Sequence, residues 1–284
     1  MGKRIFEKRG GDLQTFLHIL LLSMAELAHL LGTIIVVGLV LGFLEKRATA
    51  FIYRAFGWKG IAMTAWLGTP VHEFSHALMC GIFRHEIVEI KWLQLKSGDG
   101  TLGYVSHQYN PGSFYQKIGN FFIGTAPVYI GILILSIGMY VLLPETYRAF
   151  IQENRAGLHP YSGPESFFLF FGHSIATLAS HLFSIENLMN PRFWIFAIAG
   201  ICISSHISLS AADLKGAWNG CLTIFGFLVF LNVAGFLFGF RTSGLIARIS
   251  AYNSYILAFS GIAFLFSLIW MSIGLLSVLA KKRR

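Results

Sequence analysis

Seven stretches of this chain, near 14–44, 60–83, 118–143, 166–187, 193–211, 217–240 and 255–280, are apolar over about the 20 residues a helix needs to cross a ~30 Å hydrocarbon core. Such segments fold as helices, because a helix satisfies its own backbone N–H and C=O groups where no water can. Of the 284 residues 55% are hydrophobic and 12% charged, and the mean hydropathy of +0.64 is too high for an ordinary soluble domain. The 27 phenylalanines and 30 glycines suit lipid-facing bulk and close helix approach. The expected fold is therefore an all-α polytopic membrane protein with about six to seven transmembrane helices. It forms a single membrane domain over 1–284: an N-terminal helix and basic flank (1–59), a core (60–240), and a C-terminal helix with a basic tail (241–284). The first apolar stretch follows the segment Met1–Arg9 and runs to Leu44 with no small-residue cleavage pattern. It is too long for a signal-peptide core and is expected to stay as a membrane helix.

The net charge of +9 does not point to nucleic acid. Basic residues cluster at helix flanks, in Lys3–Arg9, at Lys46 and Arg47, and in Lys281–Arg284, where anionic lipid headgroups explain them. Summed over alternate loops of a seven-span chain, Lys and Arg number 11 on each side, so the positive-inside rule returns a tie. Two basic termini suit an even count, in which one segment between 166 and 211 fails to cross. Cys80, Cys202 and Cys221 lie in apolar segments without Cys-x-x-Cys spacing and read as packing residues. Glu26 and His29, three apart on the first helix, read as a packing pair or as part of a site.

Between the second and third spans, Val88, Ile90 and Trp92 alternate with Glu89, Lys91 and Leu93, and the turn signal Ser97-Gly98-Asp99-Gly100 precedes a second extended run. This predicts a small membrane-associated β-hairpin near 85–105. Its open edges must line a protein cavity or pair with something, and an extended substrate segment is a natural partner.

The sharpest chemical motif is His72-Glu73-Phe74-Ser75-His76, set in an apolar helix with Pro70 two residues ahead. Histidines four apart share a helix face and can reach one zinc ion, while Glu73 addresses a zinc-bound water. Ionisable groups within a membrane segment are costly and mark function by default. A catalytic zinc needs a third protein ligand, and His173, His181, Glu186, His206 and Asp213 are the candidates. Asp213 stands out because it follows the small polar run Ser204–Ser210, which interrupts a membrane helix. It also reads as the N-terminal cap of a helix from about 216. His206, two turns earlier, is a neighbour or an alternative ligand, and so is His181. His206 and Asn232 are candidate oxyanion donors.

In their order along the chain these residues resemble the site-2 protease family of intramembrane zinc metallopeptidases. His72–His76 is followed by the hairpin, then Ile123-Gly124-Thr125-Ala126-Pro127-Val128, then Asp213 with Gly216. The resemblance covers roughly 60–240, and only its first motif is sharp. The Ser204–Ser210 run, the Leu-Lys pair between Asp213 and Gly216, and an inserted 166–211 hairpin depart from the family pattern. It implies a zinc-dependent endopeptidase with His72, His76 and Asp213 as ligands and Glu73 as general base, cutting a membrane protein or peptide substrate. A multi-pass protein of the plasma membrane is expected. Two other readings fit the same residues: a metal or proton transporter or channel built on intramembrane His, Glu and Asp, and a metal-stabilised scaffold without turnover.

Overall fold

The first apolar stretch forms one helix, α1 (Gly2–Phe56), of 55 residues. At 1.5 Å per residue it is about 80 Å long, more than twice the thickness of a bilayer core. The computed structural model describes residues 2–96, 100–155 and 163–283, with side chains from Leu13 onward. Gly57, at φ 65, breaks the chain between α1 and α2 (Trp58–Ile82), a conformation that suits only glycine without strain. The hairpin β1 (Glu86–Lys91) and β2 (Tyr104–Gln108) follows, then α3 (Phe114–Leu142), α4 (Pro144–Asn154), α5 (Pro164–Leu182) and the single turn α6 (Ile185–Leu188). The chain continues with α7 (Pro191–Ser204), α8 (Ala211–Phe238), α9 (Ser243–Ser250) and α10 (Asn253–Lys282). Pro144, Pro164 and Pro191 open their helices, where a missing N–H costs nothing. Ser113, Asn190 and Ser210 cap theirs.

Among the described residues, four helical segments are long and apolar enough to cross a membrane: Leu13–Phe56, Phe114–Leu142, Ala211–Phe238 and Ser243–Lys282. The other three expected spans fold as α2, α5 and the shorter apolar helix α7. α1 and α10 run parallel: His29 O accepts from Asn253, Gly274 meets Ile52, and Lys281 donates to Ala55 O. The end of α10 therefore lies beside the end of α1 that leads into α2. Along α3 the order reverses. Gly138 faces Phe196, Gly131 faces Ile203 and Ile207, Gly124 faces Ala217, and Gly220 faces Phe121. α7 and α8, read from the sequence as two spans, thus follow one another antiparallel along α3, with a break over 205–210. Because α3 ends where α7 begins, the α4–α6 segment leaves that end and returns to it.

The largest apolar core joins α1, α3, α4, α5, α7 and α10 around Leu41, Leu135, Met139, Phe150, Phe196 and Phe266, all at most 2% exposed. Burial of such side chains is worth roughly 1.5–3 kcal/mol each where the competing surroundings are water. Glu26 pairs not with His29 but with Asn232 (2.7 Å) and Thr242 (2.5 Å), a buried polar link between α1 and α8 far along the helix from Asp213.

The two strands pair antiparallel with a bulge between Ile87 and Glu89. The turn at Ser97, Gly98 and Asp99 lies outside the described residues, and the second strand runs on to Gln108, past the expected end near 105. The hairpin folds back along α2. Trp58 Nε1 donates to Leu95 O (3.0 Å) at one end of that helix, and at the other Tyr115 Oη, at the start of α3, donates to Ile82 O (2.9 Å). Midway, Gly103 lies against Thr69 and Glu73, so close that a Cβ there would meet Thr69 Cγ2 at 2.8 Å and Glu73 Cγ at 2.9 Å.

Candidate metal centre

His72 and His76 stand one turn apart on α2 with ring centroids 4.8 Å apart. Each ring is pinned from behind. His72 Nδ1 lies 2.7 Å from the carbonyl oxygen of His206, and His76 Nδ1 lies 2.8 Å from that of Ile123. A neutral imidazole has one N–H, and here the carbonyls claim it at Nδ1. Both Nε2 atoms are then lone-pair donors, and they face each other at 3.1 Å.

The third donor comes from the start of α8. Asp213 Oδ1 lies 3.4 Å from His76 Nε2, and Oδ2 lies 4.0 Å from His72 Nε2. These ligand atoms all fall within 4.8 Å of one another, a group that could hold a metal ion. Three electron-rich atoms with no proton between them repel, and a cation is the simplest species that relieves the arrangement. Zn–N bonds of about 2.0–2.1 Å in a tetrahedron put ligand atoms about 3.3 Å apart, close to the spacing found. Two imidazoles and one carboxylate are a donor set that suits zinc. Backbone carbonyls behind both histidines are the usual device for orienting such ligands.

Two glycines let the parts converge. A Cβ at Gly124 would collide with the Asp213 carbonyl and with Ala217, so Gly124 sets how near α8 comes to α3. A Cβ at Gly68 would collide with Cys202 O and the His206 ring, so Gly68 seats the broken segment on α2. Pro70 lies inside α2 rather than at its start, and its missing N–H leaves the carbonyl one turn earlier without its usual donor.

Asp213 also occupies the third position of a capping box. Ser210 Oγ accepts from Asp213 N (3.1 Å), and Asp213 Oδ2 accepts from Ser210 N (2.8 Å). The helix begins at Ala211 with Ser210 as its cap, not near 216 with Asp213 as cap, and the capping-box bond leaves Asp213 Oδ1 facing His76.

A cavity of about 230 Å³ opens over the group. Glu73, Val105, His107, Asn120 and Ser210 line it together with the three donors. Glu73 is 5% exposed. His206 contributes its carbonyl, while its ring turns away to Thr64 Oγ1 (3.2 Å). His181 is elsewhere, 2.7 Å from Glu153. Asn232 is held by Ser23 and Glu26, and the amide on the cavity wall is Asn120 instead.

Sequence reading missed His107. Gly103, Val105 and His107 are alternate residues of one strand and its approach, so they share a face, and that period-two signal was legible had the strand been carried past 105. His107 Nδ1 lies 3.1 Å from His85 Nδ1, and His85 Nε2 lies 2.9 Å from Gln116 O. Burial above all, then the neighbouring His85 and His76, pushes His107 down to about 4 against the pull of Asp213. Burial also lowers His85, opposed by its bond to Gln116.

Comparison of the chain with protein-family profiles, with curated proteins and with solved structures returns no match.

Proposed function

We propose that the chain is a multi-pass integral protein of the plasma membrane and a zinc metallopeptidase of site-2 protease type, hydrolysing peptide bonds of membrane-embedded or membrane-proximal substrates. The observation that carries this reading is the meeting of His72, His76 and Asp213 beside Glu73 in one cavity under a β-hairpin. Zinc held by these three residues would polarise a scissile carbonyl and activate water. Glu73, on the same cavity wall, takes the proton of the attacking water and returns it to the leaving amine. His206 and Ile123 keep the ligating rings in one tautomer through their carbonyls. The hairpin offers strand edges to a substrate that must be extended to be cut, since helical amides are shielded. In this reading the six to seven expected crossings reduce to five, α1, α2, α3, the broken α7–α8 traverse and α10, with α4–α6 returning to the side it left.

The test is Glu73→Gln, which keeps size and hydrogen bonding but removes the base. Cleavage of a co-reconstituted membrane-protein substrate is expected to fall by about two to four orders of magnitude while bound zinc stays at the parent level. Equal cleavage by variant and parent would remove Glu73 from the mechanism. Ion flux through the parent, with no cleavage across a broad substrate panel, would install the transporter reading instead.

A further inference from the structure

The hydrogen bonds behind His107 fix which of its nitrogens keeps a free lone pair. The carbonyl of Gln116 can only accept, so His85 Nε2 carries the proton at their 2.9 Å contact. Neutral His85 is then an acceptor at Nδ1, and His107 must donate its own Nδ1–H across the 3.1 Å contact. His107 Nε2 is left unprotonated on a ring that lines the cavity, and no protein partner for it occurs among the described residues. The device is built: His85 is 6% exposed and stacks on Tyr109 at 5.0 Å, while Gln116 is itself tied to Arg84 O and Asn110 N. His107 is not a member of the His72, His76, Asp213 group, so its lone pair is not spent there.

We infer that His107 Nε2 is a substrate-binding acceptor, taking the hydrogen bond of one main-chain N–H of a peptide laid extended across the cavity, and that His85 is a positioning residue acting through it. The inference rests on the peptidase reading and adds to it a named contact to the substrate backbone. An acceptor is the useful polarity at this place. A helical substrate segment unwound for cleavage exposes N–H groups that lose their own carbonyl partners, and each left unpaired in an apolar setting is costly. A strand face bearing Gly103, Val105 and His107 gives room, an apolar contact and one acceptor in sequence.

Peptide substrates in which one backbone N–H at a time is replaced by an ester oxygen provide the test, run with the zinc-loaded, full-length protein in detergent. For the parent, one position is expected to cost about 10–100-fold in kcat/KM. His107→Phe is expected to lose a similar factor on the all-amide peptide, to keep its zinc, and to be indifferent to the ester at that one position. The second measurement is the imidazole nitrogen NMR spectrum. The parent is expected to show His107 protonated at Nδ1, His85→Gln to retain that tautomer and most activity because the amide can both accept and donate, and His85→Phe to lose both. A parent that cleaves while every ester penalty persists unchanged in His107→Phe, or a parent His107 protonated at Nε2, overturns the acceptor alone. A zinc-loaded parent that cleaves nothing overturns it together with the peptidase reading.

Discussion

Asp213 faces His76 at 3.4 Å through one carboxylate oxygen and holds the N–H of Ser210 at 2.8 Å through the other. One side chain thus both helps start α8 and completes the His72, His76, Asp213 donor group, and the two contributions separate under substitution. Asp213→Asn keeps an oxygen for the capping-box bond to Ser210 N but removes the charge that balances a divalent ion. The expected outcome is a folded protein whose zinc affinity falls by about two orders of magnitude or more, read by metal titration beside thermal unfolding. Unchanged affinity would exclude the carboxylate as a ligand.

The His-Glu-x-x-His spacing and the carboxylate after Ser204–Ser210 were legible because each depends on local rules, helix periodicity in one case and the break of an apolar run in the other. The role of His206 was not. What reaches His72 from that residue is its carbonyl, and a backbone atom leaves no mark in the residue type. The arrangement of the spans was hidden for a related reason. Hydropathy counts apolar lengths, whereas the parallel pairing of α1 with α10 and the continuity of α7 with α8 along α3 are set by contacts between segments far apart in the chain. The hairpin was visible from alternation, but its proximity to Glu73 depends on Gly103, whose need for close approach appears only once α2 is placed against it.

Helix spacing, and not ligand chemistry alone, should control the metal. Gly124→Ala puts a methyl against the Asp213 carbonyl and Ala217, in a contact between two helices that cannot yield by a rotamer change. Overpacking of this kind costs about 1–3 kcal/mol and is relieved by moving α8 away from α3. Zinc binding is expected to weaken by about tenfold although no ligand has changed, while Gly226→Ala, on α8 with open space around its added methyl, leaves it unaltered. Equal affinities in the two variants would show that α8 does not set the position of Asp213.

The hairpin should loosen in acid. His107 is held down at about 4 and His85 is also lowered, both chiefly by burial, against an ordinary histidine value near 6.5. The docked state therefore binds fewer protons than the detached one. Its stabilisation is complete above about pH 6.5 and is lost as pH falls toward the docked value of His107. The groups that meet His107 electrostatically are His85, His76 and Asp213; only Asp213 favours the protonated ring, and a cation bound at the metal group would oppose it further. Amide hydrogen exchange over Glu86–Lys91 and Tyr104–Gln108, corrected for the intrinsic pH dependence of exchange, is expected to report a smaller opening free energy at pH 5 than at pH 7. His107→Phe should flatten most of that slope, because the remaining histidine of the pair is the less strongly shifted. A parent whose opening free energy is the same at both values would mean that these two rings do not charge on exposure, and that the hairpin is held against α2 by the Gly103 contact and by Trp58 rather than through a neutral histidine pair.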